Sequence, residues 1–342
     1  MSKPYGLKYI AERVGVSKST VSRVLNNKLD KSFSVKEDIR QAILDVAQEV
    51  NYKPNIVALS LTKRQMDIIH IIGGHQALTE LGNIYHTVVN SVTEVLDTTG
   101  KEFEVTVNMS NPHEDLSELP PWHIAGVIIL QRTTERTMHE IELAGIPYVV
   151  VNGPAGPDGV AVVPDDVQGT RLAMNHLISL GHERIAYANA PGKYLAGTHS
   201  SLQDRQQTYL ELMKKHKFKP LPGYDEPLDS ADAFIQDQVI DAGATAILAY
   251  GHMGGLHLMQ ASHKLGIQVP SQLSLLCFCD AYANSVMSPG LSFIDLGSRQ
   301  MGEQATELLL RLMNKGSRVV RRTIKTKEAL TLRHSTAEPG PL

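Results

Sequence analysis

A chain of 342 residues, 42% hydrophobic and 20% charged, is long enough for two or three packed domains and has the balance of an ordinary globular protein. Two cysteines make no disulfide framework. No apolar run reaches the length of a membrane span, and MSKPYGLKYI lacks the apolar stretch of a secretory leader, so a reducing cytoplasm is expected. The net charge of −3 is unevenly spread, with 12 Lys/Arg against 6 Asp/Glu through Arg64 and 21 against 30 beyond it, which points the N-terminal segment at a polyanion.

The first predicted helix rests on Leu7, Ile10, Ala11 and Val14, spaced i, i+3, i+4 and i+7 on one face. Gly15 breaks it, GVS makes a tight turn, and Ser17 is a good N-cap for a second helix over 18–25. Val21, Val24 and Leu25 point inward in that helix and leave Lys18, Ser19, Ser22 and Arg23 outside. A third helix is expected from Ser34, where Glu37 completes a capping box, with Ile39, Ala42, Ile43, Val46, Ala47 and Val50 at helical spacing. Three short helices with a Gly-containing first turn describe a helix-turn-helix. The outer face of the second helix has major-groove chemistry: Arg23 can clamp guanine O6 and N7, and Lys18 and Ser19 can reach base edges. Ser17 and the helix N-terminus can hold a phosphate. A small helical domain with a solvated face shares these features one at a time; turn, cap, spacing and charge together favour DNA.

LKYIAERVGVSKSTVSRVLNN, followed by VNYKPNIVALSLTKR, resembles the DNA-binding head and hinge of the lactose-repressor (LacI) family of bacterial transcription regulators. The resemblance implies that Ser17, Lys18, Ser19, Thr20, Ser22, Arg23 and Asn26 meet the operator. It implies that 54–64 forms a hinge helix against a dimer mate, with Asn55 and Ala58 at the DNA and Leu61 wedged into the minor groove. Pro54 suits a helix start. So short a helix is unstable alone and should fold only with DNA and a second chain, and an apolar wedge at a base step kinks the duplex. From the residues alone, IVALSL reads as a linker or short strand.

Beyond Arg64 the pattern changes to short apolar runs separated by helical stretches. DIIHII (67–72), EFEVTV (102–107), GVIIL (126–130), PYVVV (147–151), RIAYAN (184–189), AILAY (246–250) and LSLLCF (273–278) are predicted strands, with helices such as 85–96 and 135–144 between them. Unbroken apolar strands alternating with helices imply parallel sheets covered on both faces, with ligands beyond the strands' carboxyl ends. VVPDDVQGTRLAMNHLISLGHERIAY, LGIQVPSQLSLLCFCD and SPGLSFIDLGSRQMGEQA resemble the effector-binding body of the same family, which is similar to periplasmic sugar-binding proteins. The expected fold is thus an all-α helix-turn-helix head plus an α/β two-lobed periplasmic-binding-protein-like body with parallel sheets. The divisions are 1–53 for the head, 54–64 for the hinge, 65–335 for an effector-binding and dimerisation domain with crossovers near 160, 291 and 320, and 336–342 for a disordered tail.

The resemblance places Asp165 and Arg205 at the effector cleft, a carboxylate and a guanidinium suited to hydroxylated or charged ligands. Four departures stand out. Gly251-His252 replaces an expected Asn-Asp, CFCD (277–280) replaces Gly-aromatic-Asp-Asp, Thr208 replaces a glycine, and Asn83-Ile84-Tyr85 replaces Asn-Pro-aromatic. With two carboxylates absent and Arg205 and His252 retained, an effector bearing an acid or phosphate is expected, held by Asp165, Arg205, His252, Cys279 and Asp280. Period-two alternation puts Cys277 and Cys279 on one face and Phe278 on the other. A disulfide between the two would be strained, and a metal site with His252 lacks further ligands.

The expected function is a sequence-specific regulator, in most such relatives a repressor, that binds a pseudopalindromic DNA operator as a homodimer under control of a small-molecule effector. Control by a protein partner and a solute-binding receptor are the alternatives. No nucleophile elbow, P-loop or dinucleotide fingerprint supports an enzyme. No catalytic residue, metal, cofactor or membrane contact is expected.

Overall fold

A computed structural model describes residues 7–25, 35–50, 67–78, 83–121, 124–157, 159–192, 199–279, 286–314 and 322–341. The chain divides into two units, 1–66 and 67–342.

In the first unit, α1 (Leu7–Val14), α2 (Lys18–Leu25) and α3 (Glu37–Glu49) enclose a small core of Ile10, Ala11, Val21, Val24, Ile43 and Ala47. Gly15, at φ 73°, makes the turn after α1. The Val16 amide closes the turn by donating to the Ala11 carbonyl at 3.0 Å. The third helix starts later than the capping-box reading expects. Lys36 holds the capping position without a side-chain bond, while Glu37 and Asp38 supply negative charge to the first turn. Ser34, the hinge over 54–64, and Asn26, Asn55, Ala58 and Leu61 lie outside the described residues.

The second unit holds two sheets. The first has β1 (Ile68–Ile72), β2 (Glu104–Val107), β3 (Gly126–Leu130), β4 (Tyr148–Val151), β5 (Val160–Pro164) and, late in the chain, β10 (Arg322–Thr326). Its order is β10-β5-β4-β3-β1-β2, with every pair parallel. The second has β6 (Ile185–Ala188), β7 (Ala246–Ala249), β8 (Ser274–Phe278), β9 (Ser292–Asp295) and β11 (Ala329–Thr331), in the order β11-β9-β8-β7-β6. It is parallel except that β11 runs antiparallel to β9, so the expected parallel sheets carry one antiparallel edge. In β1, β3, β4, β6, β7 and β8 every residue is buried, as unbroken apolar runs require. Each buried Ile, Val or Leu contributes about 1.5–3 kcal/mol.

Helices cover both sheets. α4 (Ile84–Thr98) and α10 (Ser298–Met313) pack together over the first sheet. Their close approach needs Gly302, where a β-carbon would stand 2.6 Å from the Val88 carbonyl oxygen. α5 (Glu135–Leu143) has Thr134 as its N-cap, accepting from the Thr137 amide. α6 (Asp166–Ser179), α7 (Ser200–Lys215), a mixed α/π segment over 231–241 (α8) and α9 (His252–Lys264) belong with the second sheet. Among the described residues the chain passes between the two sheets three times: from β5 into α6, from β9 into α10, and from β10 into β11. Each passage lies a few residues after its expected position.

The tail differs from expectation. Ser335 is fully buried, accepting from the Leu275 and Ser292 amides through its carbonyl and hydroxyl respectively, both at 2.7 Å. The Ala337 amide donates to Ser274 Oγ at 2.9 Å, and the Ala337 carbonyl accepts from His182 Nε2 at 2.9 Å. Thr336 bonds His176 at 3.0 Å. Polar, apolar-poor STAEPGPL reads as disorder because its partners are backbone and side-chain groups distant in sequence.

Candidate functional site: recognition helix and interlobe cleft

The Ser17 hydroxyl accepts from the Thr20 amide at 3.1 Å and meets the Ser19 and Thr20 hydroxyls at 2.7 and 2.8 Å. The cap fixes where α2 begins and turns Lys18 and Ser19 outward. Ser17, Lys18, Ser19 and Arg23 are exposed, Thr20 and Ser22 are half-buried, and Val21 and Val24 anchor the opposite face. α2 contains no acidic residue. An open N-terminus, hydroxyls and two cations on one side form a surface that a phosphate backbone and guanine edges can meet.

In the cleft of the second unit, Arg205 rises from α7 and is 4% exposed. Its Nε and Nη2 both donate to Asp166 Oδ1 at 2.6 Å, and its Nη1 donates to the Tyr250 carbonyl at 2.6 Å. The guanidinium is sandwiched 3.9 Å from the Phe278 ring centre and 4.7 Å from that of Tyr250. Burial is the largest influence and works against its charge, but Asp166, Tyr250, Cys279 and Glu328 together outweigh it and hold Arg205 charged above the ordinary arginine range.

Asp165, the acid expected beside Arg205, points elsewhere. It sits half-buried at the start of α6 and takes Lys325 Nζ at 3.1 Å. Helix phase separates neighbouring aspartates onto different sides, and the one that turns inward is Asp166. Arg205 is already paired with Asp166, so among the described residues it is not a free cation for an acidic effector, and that expectation loses one of its two supports. His252 opens α9 behind Gly251 and is half-buried. Asp280 lies outside the described residues.

Cys279 also departs from the alternation. β8 ends at Phe278, and Cys279 has φ 66°. That left-handed turn puts Cys279 against the core on Phe278's side, whereas Cys277 is fully buried in the core of the opposite face. Both thiols are unbridged. Burial pushes the Cys279 thiol up to about 12, with Arg205 opposing. Among the described residues no cluster of His, Cys, Asp and Glu could hold a metal ion.

Sequence reasoning missed a hydrogen-bonded chain across the cleft. His199, which caps α7, meets the Asn152 carbonyl through Nε2 at 2.9 Å. A carbonyl only accepts, so Nε2 carries the proton and Nδ1 accepts from Ser201, whose hydroxyl is 2.7 Å away and itself 2.7 Å from the Tyr250 hydroxyl. Asn152, at the end of β4 with φ 56°, donates through Nδ2 to the Tyr85 hydroxyl at 2.9 Å. Burial raises the Tyr85 and Tyr250 phenols, the Asn152 bond opposing for Tyr85 and Arg205 opposing for Tyr250, so both stay neutral. Tyr85 is the aromatic of the departing Asn83-Ile84-Tyr85 segment, the one sequence signal that could have located this chain.

Residues 6–55 match the family described as "Bacterial regulatory proteins, lacI family", and residues 174–336 match "Periplasmic binding protein-like domain". The HTH-type transcriptional regulator DegA of Bacillus subtilis (strain 168) is 26% identical over 96% of this chain and 97% of its own length. The lactose operon repressor of Escherichia coli (strain K12) is 26% identical over 99% of this chain and 95% of its own. The fold also matches the crystal structure of the lac repressor dimer bound to operator and the anti-inducer ONPF, with TM-score 0.73 and 23% identity over 98% of this chain and 100% of that one. These relatives are regulators, not enzymes, and no described helix here is long and apolar enough to cross a membrane. With a lacI-family helix-turn-helix head that presents an acid-free helix and a two-sheet body that carries a periplasmic-binding-protein-like domain, the chain is similar along nearly its whole length to bacterial transcriptional regulators.

Proposed function

We propose that the protein is a homodimeric repressor of the cytoplasm, associated with the nucleoid through DNA. It reads a pseudopalindromic operator with α2 and is controlled by a neutral, hydroxyl-rich metabolite in the cleft. Two identical heads on one dimer favour an operator with two-fold symmetry. Lys18, Ser19 and Arg23 would read bases, and Ser17 would seat a phosphate at the helix end.

The observation that carries the effector class is the engagement of Arg205 by Asp166 and the Tyr250 carbonyl. The groups around it are hydrogen-bonders without a carboxylate or guanidinium: Tyr85, Asn152, His199, Ser201 and Tyr250. Such a lining favours hydroxyl groups over an anion. Calorimetry against matched panels of neutral sugars and their acidic or phosphorylated derivatives tests this. Binding confined to neutral members supports it; binding confined to anions, abolished by Arg205→Met, refutes it. An operator-shift assay with the same panel checks the repressor reading.

A further inference from the structure

Between β10 in the first sheet and β11 in the second, the chain changes lobes through Lys327 and Glu328. Lys327 is exposed, but Glu328 is only 3% exposed. Its backbone is pinned to α6: the Glu328 amide donates to Gln168 Oε1 at 2.8 Å, and Gln168 Nε2 donates to the Glu328 carbonyl at 3.1 Å. The carboxyl lies over Gly169 so closely that a β-carbon there would stand 1.5 Å from Oε2. Neither carboxyl oxygen has a hydrogen-bond partner among the described residues.

The charged and titratable groups around it come from every neighbouring element. α6 brings Asp166 and, at its capping position, Asp165; α7 brings Arg205; β9 brings Asp295; the end of β8 brings the Cys279 thiol. Lys325, on β10, faces Asp165. Among the described residues Arg205 is the cation with the largest effect on Glu328, and all three of its nitrogens already donate to Asp166 or Tyr250. An ionised Glu328 would be stripped of water, without donors, among three other carboxylates. Burial accordingly raises this carboxyl to about 8, with Arg205 opposing and the three aspartates adding to the rise.

We propose that Glu328 is a proton-linked element of the interlobe hinge, neutral while the crossover is packed on Gly169 and ionised, with release of one proton to water, when the crossover lifts as the lobes part. Lobe position then responds to pH without any ligand. Only the last step, from lobe position to DNA, rests on the function proposed above.

The sign follows from linkage. The packed state binds the proton more tightly than an ordinary glutamate, whose reference value is 4.5. Packing is therefore fully favoured below that value and is weakened as pH rises toward about 8. Opening should increase about tenfold per pH unit in between, roughly a hundredfold from about pH 5.5 to about pH 7.5.

Hydrogen exchange on the intact protein, without DNA or effector, reads this directly once the chemical exchange rate is divided out. Amides of β10, β11 and the residues joining them should show the hundredfold rise, while those of β7 and β8 stay flat. In Glu328→Gln, which keeps the shape of the neutral acid, the profile at the crossover should be flat. Infrared difference spectra taken on the wild type should show a protonated carboxyl band at about pH 5.5 that is lost as pH rises through about 8, and that is absent from Glu328→Gln. A flat wild-type profile, a slope that survives in Glu328→Gln, or a missing band overturns the proposal. If Glu328→Gln does not fold, the wild-type band and slope together decide. Neither measurement uses DNA, so a failed repressor assay and a failed hinge are told apart.

Discussion

Replacing Asp166 by alanine leaves the Arg205 guanidinium buried without a counter-charge. The two side chains are each 4% exposed, so water cannot take over the role of the carboxylate. Removing one partner of such a pair costs about 3–5 kcal/mol. The Tyr250 carbonyl bond and the rings of Phe278 and Tyr250 remain, and each ring contact is worth about 0.5–2 kcal/mol. They place the expected loss near the lower end, about 3 kcal/mol. Asp166→Ala with Arg205→Met removes both charges, and an apolar replacement of a whole buried pair is close to neutral, so the double variant should recover most of that loss. Asp165→Ala is the internal control: its partner Lys325 is half-exposed, and loss of a surface pair costs about 0–1 kcal/mol. Urea unfolding at neutral pH, followed by circular dichroism, measures all three variants against the wild type through the midpoint at constant slope. A loss below about 1 kcal/mol for Asp166→Ala, or a double variant no better than the single, refutes the claim that Arg205 depends on Asp166.

Four other expectations can be tested on the same protein. Arg23→Ala should cost about 1–3 kcal/mol of operator binding and relax specificity at one base pair, measured by gel shift across operator variants at fixed salt. Cys279→Val should lose about 1–2 kcal/mol of stability because a β-branched side chain resists φ 66°, while Cys279→Asn, which tolerates that backbone, should lose less; urea midpoints compare them. Ending the chain at Ser335 strips His182 and Ser274 of Ala337 and should cost about 1–3 kcal/mol, again by urea midpoint. Burial lowers the pKa of His182, with the Ala337 carbonyl opposing, so its contribution is complete above the ordinary histidine value of 6.5 and is lost as pH falls through the folded value; His182→Asn should flatten that part of a melting-temperature profile.

Elements whose partners are near in sequence, or whose burial leaves an apolar run, are legible from the residues. The second helix of the head is one: Ser17 and the Val21–Val24 spacing mark its start and its inward face, and α2 spans Lys18–Leu25. β3 and β4 are others, because strands buried on both faces carry little but Val, Ile and Leu. β10, RTIKT, escapes the same reading, since an edge strand with mostly exposed side chains carries no apolar signal. The docked tail escapes it because Ser335 and Ala337 are held by His182, Ser274 and Leu275, all distant in sequence. At the cleft the residue types were legible and their directions were not. One step of helix phase exchanges Asp165 for Asp166, and one left-handed residue moves Cys279 to the other face.

These directions decide what an effector can do. A cleft with a free arginine would recruit an anion by charge and gain affinity from neutralising it. Here Asp166 already pairs with Arg205, so that cation is engaged before any ligand arrives. What remains to be exchanged is hydrogen bonding, chiefly the bond from His199 to the Asn152 carbonyl that ties one lobe to the other. A hydroxylated ligand that accepts from His199 or donates to Asn152 competes with that tie at little net cost, because one neutral hydrogen bond replaces another. Its effect on lobe position then depends on whether its own bonds span the cleft or end on one side. On the proposed function, two ligands with the same hydroxyl count would act in opposite directions if one spans this hydrogen-bonded chain and the other ends on one side, the sign being set by geometry rather than by affinity.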